Sequence, residues 1–124
     1  LVGSEMCIRD SAISQKYKST SFIIERFLVP RPMTGLRLEI EVVEDTIATM
    51  LVYDADFTLR AELQGCPGRH VINIFEEVER TSLKMKAGEI PEGEWTLALD
   101  LKKTLKEDIV DCRLTVFGEE KVSI

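Results

Sequence analysis

The sequence predicts an all-β fold: an antiparallel β-sandwich of about seven strands, with at most one short helix near residues 101–110. Three observations predict it. Apolar residues recur at every second position over most of the chain after residue 20. Turn-forming residues interrupt that pattern at short intervals. No strand alternates with a long helical pattern, as parallel βαβ units would require. A period of two puts successive side chains on opposite faces, so each run has one dry and one wet side.

The elements follow in chain order. SFIIERFLV (Ser21 to Val29) reads as a strand, and PRPMTG (Pro30 to Gly35) reads as a turn because proline fixes φ and lacks a donor. In LRLEIEVV, Leu36, Leu38, Ile40 and Val42 point one way while Arg37, Glu39 and Glu41 point the other. TMLVYD (Thr49 to Asp54) is apolar on both sides, as an interior strand would be. ADFT, GCPG and IPEG separate the later strands. RHVINIFEEV (Arg69 to Val78), SLKMKA (Ser82 to Ala87), EWTLALDL (Glu94 to Leu101) and DCRLTVF (Asp111 to Phe117) alternate with varying clarity. LKKTLKEDIV (Leu101 to Val110) is a short helix or a solvated loop: Leu101, Leu105 and Ile109 recur at helical spacing, but charge dominates the stretch. Leu38, Ile40, Val52, Trp95, Leu97 and Leu99 are expected in the core.

The first ten residues stand apart. LVGSEMCIRD has no apolar period, and it resembles the transposon adapter used to prepare sequencing libraries, translated in one of its frames. On that resemblance residues 1–10 are not native. Residues 11–20 form an N-terminal tail, residues 21–124 are the sandwich, and the chain is a fragment of a gene of metagenomic type.

Composition narrows the function. The net charge is −6 at pH 7, which argues against nucleic acid, whose phosphates need clustered Lys and Arg. No apolar run approaches the roughly 20 residues of a membrane helix. Cys66 and Cys112 could pair in an oxidising compartment, but two thiols in a domain of this size are more often free. The chain has one histidine, His70, so a catalytic metal centre with several His ligands is not available. A Cys66–His70 nucleophile can be drawn, but no third group orients it. The acidic runs at Glu39, Glu41, Glu44 and Asp45, and at Glu76, Glu77 and Glu79, read as solvated strand faces and ends. Asp54 and Asp56 could face a cation, but an Asx turn explains them with fewer ligands. Trp95 opens a strand on its apolar side and reads as core. No autonomous active site emerges.

Two motifs carry a resemblance. VYDADFTLR presents Val52, Tyr53, Asp54, Leu59 and Arg60; EIPEGEW presents Ile90, Pro91, Gly93 and Trp95. In this order they resemble the N-terminal β-sandwich of CehA/McbA-like PHP-domain metallohydrolases, and FIIERFLVP is similar to the start of those domains. The chain departs from the pattern at Ala61, where a glycine is expected, and in EEVERTSLKMKA and LKKTLKEDIVD. The resemblance spans roughly residues 21–117. It implies a non-catalytic accessory domain, not an enzyme in itself, whose partner is a C-terminal catalytic domain missing from this chain. That domain, opening on closely spaced histidines, would bind the divalent metals; no cofactor, nucleic acid or membrane is assigned to the chain, and the expected location is cytoplasmic. Asp54, Leu59, Arg60, Ile90, Pro91, Gly93 and Trp95 are the motif residues. Arg60 is expected to pair with a carboxylate, Asp54 by spacing, and to brace a loop. The alternative is a stand-alone or appended β-sandwich module that binds carbohydrate or peptide.

Overall fold

The structure, a computed structural model, describes residues 5–18, 22–102 and 107–121. Eight strands run in chain order: β1 (Glu5–Lys18), β2 (Phe22–Val29), β3 (Met33–Val42), β4 (Ile47–Tyr53), β5 (Leu59–Gln64), β6 (Gly68–Phe75), β7 (Gly93–Leu101) and β8 (Glu107–Glu120). They form two four-stranded sheets, ordered β1-β8-β3-β6 and β2-β7-β4-β5. Every pairing is antiparallel. The sheets pack face to face as a β-sandwich.

Alternation decides which side of each strand enters the core. Leu36, Leu38, Ile40 and Val42 of β3 are buried, as are Trp95, Leu97, Leu99 and Leu101 of β7 and Met50 and Val52 of β4. They meet Ile72 and Ile74 of β6 and Leu114 and Val116 of β8 in one cluster. All six residues expected in the core are there. β4 lies between β7 and β5, which is the interior position its two-sided apolar character predicts.

Three expectations are corrected and one unanticipated strand is added. SLKMKA forms no strand: Ser82–Ala87 is turn and loop, Leu83 is 88% exposed and Lys84 takes a left-handed φ of 67°. Its alternation reflects a loop with one residue out and Met85 partly in. Second, LRAELQ is a strand that alternation could not reveal. Ala61 pairs with Val52 and Leu59 with Tyr53, so Arg60 is an extra, bulged residue, and Arg60 and Ala61 are both buried. Third, the proposed helix is absent from its described residues. Leu101 ends β7 and residues 107–110 begin β8, while residues 103–106 lie outside the described residues. Fourth, the turn at PRPMTG is shorter than expected, because Met33, Thr34 and Gly35 already belong to β3.

The segment set apart from the sandwich in the sequence also takes part in it. β1 pairs with β8 from Glu5 to Lys18, crossing the boundary at residue 10, and Ile13 is buried. An edge strand draws much of its order from its neighbour's backbone ladder, which leaves little mark on side-chain pattern. Ion pairs add to it: Arg37 takes the Glu5 carboxylate in a fork at 2.9 and 3.0 Å, and Arg113 takes Asp10 at 3.0 and 2.9 Å. These pairs are largely exposed and contribute little each.

Gly35 shows how closely the outer face of the first sheet is packed. The Phe75 ring lies over its bare Cα, so a Cβ there would fall inside the ring. Gly35→Ala is expected to destabilise by about 1 to 3 kcal/mol, as overpacking does. A melting temperature equal to that of the parent chain would show that the ring can step aside.

Candidate functional site

The motif residues converge on one buried arginine. The bulge in β5 turns Arg60 away from the alternating ladder and under the long β6–β7 connection, and only 3% of its surface remains exposed. Guanidinium offers five N–H donors in a rigid plane. Nε donates to the Lys86 carbonyl at 2.9 Å, and Nη1 donates to Asp54 Oδ2 at 3.1 Å and to the Glu89 carbonyl at 2.8 Å. Nη2 donates to the Gly88 carbonyl at 3.0 Å. In return, the Arg60 carbonyl accepts the Lys86 N–H at 2.8 Å. The cation lies 5.5 Å from the centroid of the Trp95 ring.

Asp54 is itself held. Its Oδ1 accepts the backbone N–H groups of Asp56 at 2.9 Å and Thr58 at 3.0 Å, the Asx arrangement that suits aspartate at the start of a turn. The Asp54 N–H donates to the Thr58 carbonyl and the Phe57 N–H to the Asp54 carbonyl, closing the β4–β5 hairpin. Phe57 sits at the tip with φ 60°, and its side chain is exposed. Buried charge is tolerated only when paired and hydrogen-bonded. Both conditions hold here, and among the described residues no buried side-chain N or O lacks a partner.

The second motif closes the clamp from below. Trp95 is fully buried, its indole N–H donates to the Pro91 carbonyl at 3.0 Å, and its ring lies 6.2 Å from that of Phe27. Ile90 is buried, and its carbonyl accepts the Met33 N–H at 3.4 Å. Gly93 has φ +124°, a left-handed value that favours glycine, and a Cβ there would come 2.9 Å from that of Ala55. Leu59, by contrast, is exposed on the outer face beside Tyr53, so it takes no part in the clamp. Around this centre lies a shallow depression of about 190 Å³, lined in part by Asp54, Asp56, Arg60 and Glu89.

The sequence did not reveal the three loop carbonyls, because backbone acceptors carry no residue signature. The available signal was an arginine flanked by the apolar Leu59 and Ala61. The same loop also covers the free edge of β6. Ser82 N–H donates to the Asn73 carbonyl and Ser82 Oγ accepts the Asn73 N–H, each at 2.8 Å. Thr81 Oγ1 accepts the Phe75 N–H at 3.0 Å, and Gly88 N–H donates to the Phe75 carbonyl at 3.0 Å.

The remaining chemical candidates disperse. His70 Nε2 bonds the Cys66 carbonyl at 2.6 Å; a carbonyl only accepts, so this nitrogen carries the proton, and the Cys66 thiol is not its partner. Glu39 pairs with Arg69 and Arg37, whereas Glu41, Glu44, Asp45, Glu76, Glu77 and Glu79 are exposed. Among the described residues no group of three or more His, Cys, Asp or Glu could hold a metal ion. A depression of about 410 Å³ lies on the outer face of the first sheet, and its two arginines are already neutralised. Arg37 stacks on Phe117 and forks Glu5, while Arg80 stacks on Phe75 and forks Glu119.

Cys7, Cys66 and Cys112 are all free. Burial, then the nearby Asp111 and Glu25 charges, push the Cys112 thiol up from 9.0 to about 11. A raised folded-state value means that the unfolded chain loses this proton first, above pH 9. The contribution is therefore intact below pH 9 and is lost as pH rises towards 11. Over that window the thiol removes about 2 to 3 kcal/mol of stability. Denaturant melts of the parent chain and Cys112→Ala across pH 8 to 11 test this, since the difference between them should narrow by that amount.

No protein-family model matches the chain, and no curated protein matches it. Among the described residues, no helix is long and apolar enough to cross a membrane.

Proposed function

We propose that the chain is a non-catalytic accessory β-sandwich of a PHP-type metal-dependent hydrolase, acting beside a catalytic domain carried elsewhere in the parent protein. One observation supports it above the others. Asp54, Arg60, Ile90, Pro91, Gly93 and Trp95, which carry the resemblance, meet in or beneath a single buried clamp whose polar atoms bind one another. A group that is to act on a substrate needs a free face within hydrogen-bond reach of it. These residues instead hold two loops together. The divalent metals implied by the resemblance would be held by the catalytic domain's own ligands, since the described residues here offer no matching donor cluster. Free thiols at Cys66 and Cys112 suit the cytoplasm, where we place it.

Two readings test the proposal together. The purified chain, incubated with phosphomonoester and phosphodiester substrates and Mn²⁺ or Zn²⁺, should show no turnover that a chelator removes. The source DNA read past the codon for Ile124 should open on a frame with closely spaced histidines. Chelator-sensitive turnover, or a stop codon at that point, would contradict the accessory reading.

A further inference from the structure

The two open sides of the sandwich are finished differently. On one side the β6–β7 connection bonds the free edge of β6 through Ser82, Thr81 and Gly88, and that of β5 through Lys86. β5 is also short and bulged, a common protection of edges. On the other side β2 is an eight-residue edge strand that, among the described residues, pairs with β7 alone. Its outward row is exposed and, Arg26 apart, apolar, with Phe22 57%, Ile24 45% and Leu28 62% accessible. The outward row of the other edge strand on that side, β1, is different in kind, with Asp10 and Ser14 exposed on it. Among the described residues, β2 combines an uncovered edge with three exposed large apolar side chains.

Charge at the centre of β2 decides what can pair there. Glu25 points inward, where Ser11 Oγ bonds it at 3.1 Å and Arg9 pairs with it; Arg26 points outward, in an exposed pair with Glu94 at 3.2 Å. A second copy adding antiparallel to β2 about a two-fold axis has two well-overlapped registers. One sets Glu25 against Glu25, the other Arg26 against Arg26, and like charges directly opposite are destabilising. A different strand escapes both clashes.

We propose that the free edge of β2 is a docking site for an extended peptide segment of another protein. The segment adds antiparallel, with a cationic residue opposite Glu25, an acidic residue opposite Arg26 and apolar residues opposite Ile24 and Leu28. Main-chain hydrogen bonds would supply affinity and the alternate side chains selectivity, as in other strand additions. The inference goes beyond the accessory-domain reading and does not rest on it.

The probe is the end-blocked peptide Val-Thr-Glu-Lys-Ile-Thr-Tyr, titrated into the ¹⁵N-labelled full chain and followed by amide shifts. The control, Val-Thr-Lys-Glu-Ile-Thr-Tyr, exchanges the two charges and nothing else. The expected result is saturable binding of the first peptide with shifts centred on Phe22–Val29, at about fivefold or more the affinity of the control, from two reversed cross-strand pairs. Sedimentation of the chain alone should show a monomer. Absence of binding, equal affinity for the two peptides, or shifts centred elsewhere would overturn the proposal. So would self-association that Ile24→Lys abolishes, which would make a second copy the occupant.

Discussion

Arg60→Ala is expected to destabilise the chain by about 3 to 5 kcal/mol, the range for breaking a buried ion pair by removing one partner. In a domain of this size that corresponds to a fall in Tm of roughly 10 to 20 °C. The cost has several sources. Asp54 would be left buried without its cation, and the carbonyls of Lys86, Gly88 and Glu89 would lose their donor together. Arg60→Lys should recover only part of the loss, since an ammonium has three donors and no planar fork to reach acceptors on two sides. Asp54→Asn should cost less than Arg60→Ala, because an amide oxygen can still accept from Asp56 and Thr58. Thermal melts of the three variants check the order, and an unchanged Tm for Arg60→Ala would remove the clamp from the account.

Trp95→Ala is the second large effect, at about 3 to 5 kcal/mol. Trp95 is fully buried, so truncation leaves a cavity between the sheets. It also removes the donor to the Pro91 carbonyl and the ring beneath the Arg60 cation. Trp95→Phe should retain much of the packing and lose the hydrogen bond, so its cost measures the indole N–H separately. The two sites share contacts, so their effects should not add. A double variant, Arg60→Ala with Trp95→Ala, is expected to cost less than the sum of the singles. A loss below 1 kcal/mol for Trp95→Ala would show that the ring is solvated.

The particular elements show why some of this was legible in the sequence. β3 and β7 send every second residue from Leu36 and from Trp95 into the core, so both were readable from their alternation, although Gly35 and Ala98 on their outer faces are also buried. β5 was hidden by its function: the bulge that turns Arg60 inward also places two buried residues in succession and destroys the alternation. SLKMKA misled in the opposite way, since loops alternate by chance and its backbone bonds go to a neighbouring edge strand rather than into a ladder of its own. β1 left no pattern because its pairing with β8 is carried by backbone groups common to every residue. The same reason hid half of the clamp. The spacing of Asp54 and Arg60 suggested their pairing, but the carbonyls of Lys86, Gly88 and Glu89 belong to a loop whose course no side chain announces.

The central claim is that the residues shared with the accessory-domain pattern hold the fold and do not face a substrate. The guanidinium protons of Arg60 test it most directly. In a ¹⁵N-resolved spectrum of the native chain at neutral pH, the Arg60 Nε–H and Nη–H signals should be separately visible and slow to exchange with water, because the group is buried and four of its N–H bonds are engaged. A single averaged Arg60 signal exchanging as fast as that of the exposed Arg69 would contradict the account and leave this arginine open to a ligand.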